Sequence, residues 1–201
     1  LVPNNCVKLL GPTYLIMRDE FVRERRQIRK RDGQVKRLLI FMGGTDPTNE
    51  TMKVLRALQM TTKKFAHVDV VVGNGNLRRA EIADICSNVG YHFHCQIDYM
   101  ASLMAQADFA IGAGGSATWE RCYVGLPSSS TIVAANQIVA TETAASLGAV
   151  WNIGWHEKAT VETYLQLVES LSEQQQELRE MSLNGLKLTE SPAGPNPWIE
   201  K

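Results

Sequence analysis

Apolar residues along the 201-residue chain gather into six short clusters, and the stretches between them carry apolar positions at helical spacing. The clusters at 36–42, 67–72, 91–95, 108–113, 128–133 and 149–153 are rich in Val, Ile and Phe and have the length of strands. Several are apolar on both faces, as Leu38-Leu39-Ile40-Phe41 and Val70-Val71-Val72 show, which is what a parallel sheet covered by helices requires. Between them the pattern predicts helices with start and stop signals. Thr48 or Asn49 heads a helix turning Met52, Leu55 and Leu58 inward; Asn76 precedes 77–87, Asp98 precedes 99–107, and Ser116 precedes 117–124, closed by Gly125 and Pro127. Asn136 caps 137–147, which ends at Gly148, and Thr160 starts a long acidic helix to about Asn184. This alternation predicts repeated right-handed βαβ units, hence an open, doubly wound α/β domain with a mostly parallel six-stranded sheet flanked by helices. The domain covers 1–188; beyond it, Pro192, Gly194, Pro195 and Pro197 break any helix, so 189–201 reads as an extended tail.

A hydrophobic fraction of 44% and a charged fraction of 21% fit one folded domain and argue against disorder. The longest apolar run, 38–42, is far short of the roughly 18–20 residues that span a bilayer, so no membrane span is expected. The first four residues contain neither an initiator Met nor the start of a signal peptide, which suggests a cytoplasmic piece cut from something longer.

Charge changes the picture locally. The totals of 21 Lys+Arg and 21 Asp+Glu cancel, but residues 1–37 hold 10 basic against 4 acidic side chains. Much of that excess is Arg23, Arg25, Arg26, Arg29, Lys30 and Arg31, within a basic lead-in segment at 18–37. Such a run marks either a polyanion-binding patch or a solvated helix face with Phe21, Val22 and Ile28 packing inward. No aromatic residues interleave the arginines for base stacking, so nucleic acid is not expected as a partner, and contact with a neighbouring domain is the first functional expectation.

Cys6, Cys86, Cys95 and Cys122 lack Cys-x-x-Cys or zinc spacing and read as reduced thiols. His92 and His94 share a strand face without a visible third ligand, so no metal is expected; His67 and His156 stand apart from them.

Ligands of open parallel sheets bind beyond the carboxyl ends of the strands, and two glycine-rich turns fall there. One is Gly43-Gly44-Thr45-Asp46-Pro47; the other is Gly112-Ala113-Gly114-Gly115-Ser116-Ala117-Thr118, which opens a helix. In the second, glycines permit close backbone approach, and the N–H groups of Ser116, Ala117 and Thr118 lie at the positive end of the helix dipole. That suits a phosphate or diphosphate, although a plain βα turn with a serine cap has the same composition. Neither a P-loop nor a complete dinucleotide fingerprint is present; the Gly73-Asn74-Gly75 turn lacks the third glycine. Glu120, one turn beyond the loop, is placed either to accept hydrogen bonds from vicinal ribose hydroxyls or to pair with Arg121 or solvent.

The run from Gln96-Ile97-Asp98-Tyr99 through Ala107-Asp108-Phe109-Ala110-Ile111-Gly112 and the glycine turn to Trp119-Glu120-Arg121-Cys122 and Gly125-Leu126-Pro127 resembles the C-terminal domain of GT-B nucleotide-sugar enzymes. It is most similar to the UDP-sugar hydrolases of the pseudaminic acid pathway and, more distantly, resembles the N-acetylglucosaminyltransferases of peptidoglycan synthesis. Leu9-Leu10-Gly11-Pro12, Tyr14, Phe21, the 43–47 loop and Ala135-Asn136-Gln137 extend the likeness over about residues 7–185. The resemblance implies the C-terminal half of a GT-B fold that binds UDP or a UDP-sugar without a cofactor. It implies that Glu120 binds the ribose, that Gly114, Gly115, Ser116, Ala117 and Thr118 hold the diphosphate with Gly43, Gly44 and Thr45 across the cleft, that Ile97 meets the uracil, and that Asn136 and Gln137 face the phosphates or sugar. The implied activity is hydrolysis to UDP and a 2,4-diacetamido-2,4,6-trideoxyhexose. Glycosyl transfer and a non-catalytic nucleotide-sugar binding module remain alternatives. The hydrolases' general base is a His of an N-terminal domain that this sequence does not contain, so catalytic residues are not assigned and an isolated fragment is expected to be inactive.

Overall fold

The computed structural model describes residues 11–191 together with Pro3 and Cys6. The expected tail therefore lies outside the described residues beyond Ser191, as do Leu9 and Leu10. In chain order the elements are α1 (Asp19–Arg26), β1 (Arg37–Phe41), α2 (Glu50–Met60), β2 (His67–Val72), α3 (Arg79–Val89), β3 (His92–Cys95), α4 (Met100–Gln106), β4 (Phe109–Ala113), α5 (Ser116–Tyr123), β5 (Ser128–Ile132), α6 (Ile138–Ser146), β6 (Trp151–Trp155), α7 (Val161–Ser170) and α8 (Gln175–Leu188). All six expected strands form. They stand in the order β3-β2-β1-β4-β5-β6, and every pairing is parallel.

Alternation along β1 explains the two-sided covering. Leu38, Ile40 and Met42 enter one core with α2, α7 and α8, while Leu39 enters another with Met100, Leu103 and Met104 of α4, Phe21 of α1 and Val124. Burying both faces of a strand is the main apolar contribution to stability in such sheets.

Four expectations need correction. Asn136 does not cap α6: it lies inside a 3-10 turn, and the helix starts at Ile138 behind Gln137 with no side-chain cap bond. The helix expected from Thr160 to about Asn184 is two helices, α7 and α8, with a turn at 171–174. Thr160 does begin α7, through a capping box with Thr163. At α2, neither Thr48 nor Asn49 is the side-chain cap: Asn49 is left-handed at φ 58°, and Asp46 Oδ1 and Oδ2 accept from the N–H groups of Glu50 and Thr51, each at 2.9 Å. The basic segment is not simply a solvated face. Phe21 is fully buried and Val22 and Ile28 do pack inward, but Arg25, Arg29 and Arg31 turn back into their own domain. Arg31, 5% exposed, donates to the carbonyls of Met104, Ala105, Ala107, Val124 and Gly125. Arg25 reaches the Tyr123 and Leu186 carbonyls and Thr189, and Arg29 the Gln106 and Ala107 carbonyls and Asp108. These cations sit on helix C-termini, where unpaired carbonyls and the negative dipole end favour them. Thr189, assigned to the tail, is 3% exposed and held by Arg25 as the residue capping α8.

Candidate nucleotide site

Strand order reverses direction between β1 and β4, so the crevice of this sheet opens between their carboxyl ends. Phe41 pairs with Gly112, which sets the loop leaving β1 beside the loop leaving β4. The two glycine turns singled out in the sequence are thereby brought together.

On the β1 side, Gly43 has φ 90°, and a Cβ built at Gly43 or Gly44 would meet nothing within 4 Å. The loop therefore leaves open space above it. It rests on another glycine turn: Gly73 N donates to Gly44 O at 3.1 Å, and a Cβ on Gly73 would come 2.5 Å from that oxygen. The 73–76 turn thus has a structural reason for its glycines that a search for nucleotide fingerprints misses. Asp46 anchors the loop from the other side as the cap of α2; burial pushes its carboxyl above its ordinary pKa, against the two N–H bonds that lower it.

On the β4 side, Gly115 has φ 92° and turns the chain into α5. The N–H of Thr118 donates to Gly115 O at 3.0 Å and that of Gly114 to Thr131 O at 2.8 Å. Ser116 and Ala117 begin the helix with no intrahelical acceptor one turn back for their N–H groups. Ser116 is exposed and Ala117 half-buried. The Gly114 N–H, expected to help hold the diphosphate, is already used by Thr131 O. Thr118 differs from expectation: its side chain is fully buried beneath the loop, where Oγ1 accepts from Arg121 Nη2 at 3.2 Å. It supports the loop from below.

Glu120 lies on the next turn of α5, half-buried, with Oε1 accepting from Arg18 Nη2 at 3.1 Å. Its partner is Arg18, not Arg121. Gln137 is folded against the loop, its Oε1 accepting from Val133 N at 3.0 Å and its Nε2 lying 3.5 Å from where a Cβ of Gly115 would stand. Asn136 is exposed in a single 3-10 turn, Ala135–Gln137. Ile97 follows β3 at the carboxyl edge and packs against the same apolar cluster as Phe41 and Trp119.

Beneath this shelf lies a polar layer whose members the sequence reading left aside. Strand β5, Ser128–Ile132, is buried throughout although four of its five residues are polar. Ser128 and Ser130 accept from Arg121 Nε and Nη2 at 3.1 and 2.8 Å, and Ala113 O accepts from Nη2 at 3.0 Å. Arg121 is 1% exposed, and burial lowers its pKa to about 10. On the other face Thr131 meets Tyr164 at 2.7 Å, and Tyr164 donates to the buried Glu50, which pairs with Lys53 at 2.7 Å. Burial raises the Tyr164 hydroxyl pKa, so it stays a donor. The signals for this layer were a serine run in a strand otherwise flanked by apolar ones, and a charge at 121 between buried positions 118 and 122.

The histidines lie elsewhere. His67 and His92 stack with centroids 3.9 Å apart, and His94 bonds Asp69 at 2.8 Å and Tyr99 at 3.0 Å. Among the described residues no group of three or more His, Cys, Asp or Glu is arranged to hold a metal ion, and no helix is long and apolar enough to cross a membrane.

A six-stranded, all-parallel sheet flanked by eight helices among the described residues, with paired glycine loops at its switch point, is the fold of one half of a GT-B glycosyltransferase. The chain superposes on MurG of Acinetobacter baumannii with a TM-score of 0.64 at 17% identity, covering 95% of this chain and 55% of that one. It superposes on the spinosyn rhamnosyltransferase SpnG complexed with thymidine diphosphate at 0.62 and 16% identity, covering 81% and 43%. In sequence it is 31% identical over 159 residues to the spore coat polysaccharide biosynthesis protein SpsG of Bacillus subtilis, which is 77% of this chain and 46% of that protein. It is also 32% identical over 135 residues to the uncharacterized protein MJ1062 of Methanocaldococcus jannaschii, 62% of this chain and 27% of that protein. The chain thus spans less than half the length of these curated relatives. No protein-family model matches it.

Proposed function

We propose that this chain is the nucleotide-binding half of a UDP-sugar hydrolase that releases UDP and a 2,4-diacetamido-2,4,6-trideoxyhexose for nonulosonic acid biosynthesis. The observation that carries the reading is the placement of the Ser116 and Ala117 N–H groups beside the 43–45 loop at the β1/β4 switch point, with Glu120 one helical turn further in. The sugar and the reaction rest on the resemblance of the 96–127 motif; the relative named for polysaccharide biosynthesis supports the same setting.

The chemistry follows from charge. Water adds to the anomeric carbon, the bond from that carbon to the β-phosphate oxygen breaks, and UDP departs with the electron pair while a base in the remainder of the enzyme takes the proton. Negative charge grows on the diphosphate, and fixed N–H dipoles at the α5 N-terminus stabilise it without reorganising. Gly43 and Gly44 leave space for the opposite side of the diphosphate. Glu120 takes the ribose hydroxyls through the carboxylate oxygen that Arg18 does not hold. Gln137 braces the loop, Asn136 stands on the sugar side, and Ile97 offers its backbone to the uracil.

Calorimetric titration with UDP tests the site. Glu120→Ala is expected to weaken binding about 10- to 150-fold, the worth of roughly 1.5–3 kcal/mol in charge-assisted hydrogen bonds. Undiminished affinity removes the ribose role. Glycosyl transfer is the second reading, favoured by the fold likeness to a rhamnosyltransferase. Release of free sugar by the whole enzyme with no acceptor present rules out an obligate transferase.

A further inference from the structure

Arg121 is a buried cation without an anionic partner. Its guanidinium donates to Ser128, Ser130, Thr118 and the Ala113 carbonyl, all uncharged, and the neighbouring carboxylate of Glu120 is held by Arg18 instead. Its remaining nitrogen, Nη1, is buried with no hydrogen-bond partner among the described residues. That nitrogen lies against the end of β4 that leads into the loop: a Cβ built on Gly112 would come 2.5 Å from it. A second orphan flanks the same turn, since Thr141 Oγ1 is buried without a partner and 2.6 Å from where a Cβ of Gly114 would stand.

Taking a guanidinium out of water with neither a carboxylate nor a full set of acceptors costs several kcal/mol in a folded protein. Natural cores avoid this unless the charge has a use, and charge stored beside a ligand loop is one such use. Here four donor contacts fix the guanidinium against β4, β5 and α5, the three elements that shape the second glycine loop. Arg121 Nη2 holds the Ala113 carbonyl on one side of the loop and Thr118 Oγ1 on the other, so an anion on the Ser116 and Ala117 N–H groups would sit on the stretch of chain that this guanidinium brackets.

We propose that Arg121 is a positioning residue for the diphosphate: it holds the β4–α5 loop in its anion-binding shape, and its charge is balanced when the diphosphate is bound above it. The inference rests on the nucleotide-binding reading and adds to it the source of selectivity for the charged over the uncharged part of the ligand. Backbone N–H groups alone hold phosphate through dipoles; a fixed cation in low dielectric beneath them adds a term that scales with ligand charge and resists screening by salt.

The test compares uridine with UDP by calorimetry on three forms of the chain: wild type, Arg121→Lys and Arg121→Met. Arg121→Met keeps most of the volume and removes the charge, and Arg121→Lys keeps a charge but loses the forked grip. The preference for UDP over uridine is expected to fall at least tenfold in Arg121→Met and by an intermediate factor in Arg121→Lys, with uridine affinity unchanged. A merely structural role would lower both affinities together and leave their ratio intact, which overturns the proposal. Should Arg121→Met fail to fold, the ratio in Arg121→Lys decides, and an unchanged ratio there overturns it as well. Wild-type protein showing no preference for UDP over uridine would instead defeat the underlying nucleotide reading, whatever the variants do.

Discussion

Asp46 closes the open end of α2 where the first glycine loop leaves β1, accepting from two backbone N–H groups at once. Replacing it with Ala removes both acceptors, and urea unfolding is expected to show a loss of about 1–2 kcal/mol, the usual worth of such a cap. Its protonation gives a separate signature. Burial raises its pKa in the folded state, so the native protein holds that proton more tightly than the unfolded chain. The group's contribution is therefore full below the ordinary carboxylate pKa and is lost as pH rises through the raised one. Asp46→Asn has no such titration, so the stability of wild type relative to this variant should decline from pH 4 to pH 7 in parallel urea series. No decline would mean that the two N–H bonds outweigh burial. Asp46 was visible in the sequence as a loop residue but not as the cap, because an Asx residue four positions ahead of its helix competes with Thr48 and Asn49 for the same role. Only the left-handed turn at Asn49 decides it.

Among the elements, β1, β2 and β4 were legible because burial on both faces forces apolar runs, whereas β5 is buried with four polar residues of five and β3 and β6 are only partly buried. The split between α7 and α8 was not. Leu167, Leu171, Leu178 and Met181 keep a helical phase across the break and all face the same core. The turn exists because α7 packs against α2 while α8 packs against α5, and one straight helix does not reach both. The arginines of the lead-in segment were legible as charge but not as caps, since their partners are carbonyls about 75 to 160 residues away. Arg31 ties the C-terminal turns of α4 and α5 through five carbonyl contacts. Arg31→Met is expected to destabilise the fold by about 3 kcal/mol or more, because buried carbonyls lose a charged donor. Arg31→Lys should recover only part of it, having no fork to span two helix ends. Gly73→Ala, which places a Cβ 2.5 Å from Gly44 O, is expected to cost about 1–3 kcal/mol and to displace the first loop. Denaturant unfolding checks both, and wild-type stability in Gly73→Ala would show that the two turns do not depend on each other.

At the scale of the molecule, a net charge of zero conceals a division of labour. The N-terminal arginines neutralise helix C-termini on their own domain, one arginine is buried under the second glycine loop, and the shelf above it is made of backbone N–H groups and one carboxylate. A charge count registers none of this, which is why the motif spacing rather than the composition pointed to the site. The glycine loops were legible as a pair because both follow strands; that they face each other depends on the strand order, which places β1 beside β4. The most direct measurement is residue-resolved NMR titration of the chain with UDP. Amide shifts are expected to concentrate at Gly43–Thr45, Ile97, Gly115–Ala117, Glu120 and Gln137, saturating with one ligand per chain. Shifts centred instead on the cavity between Pro12, Val22, Tyr123 and Thr189, at the other end of α5, or no binding of UDP at all, would contradict the nucleotide reading.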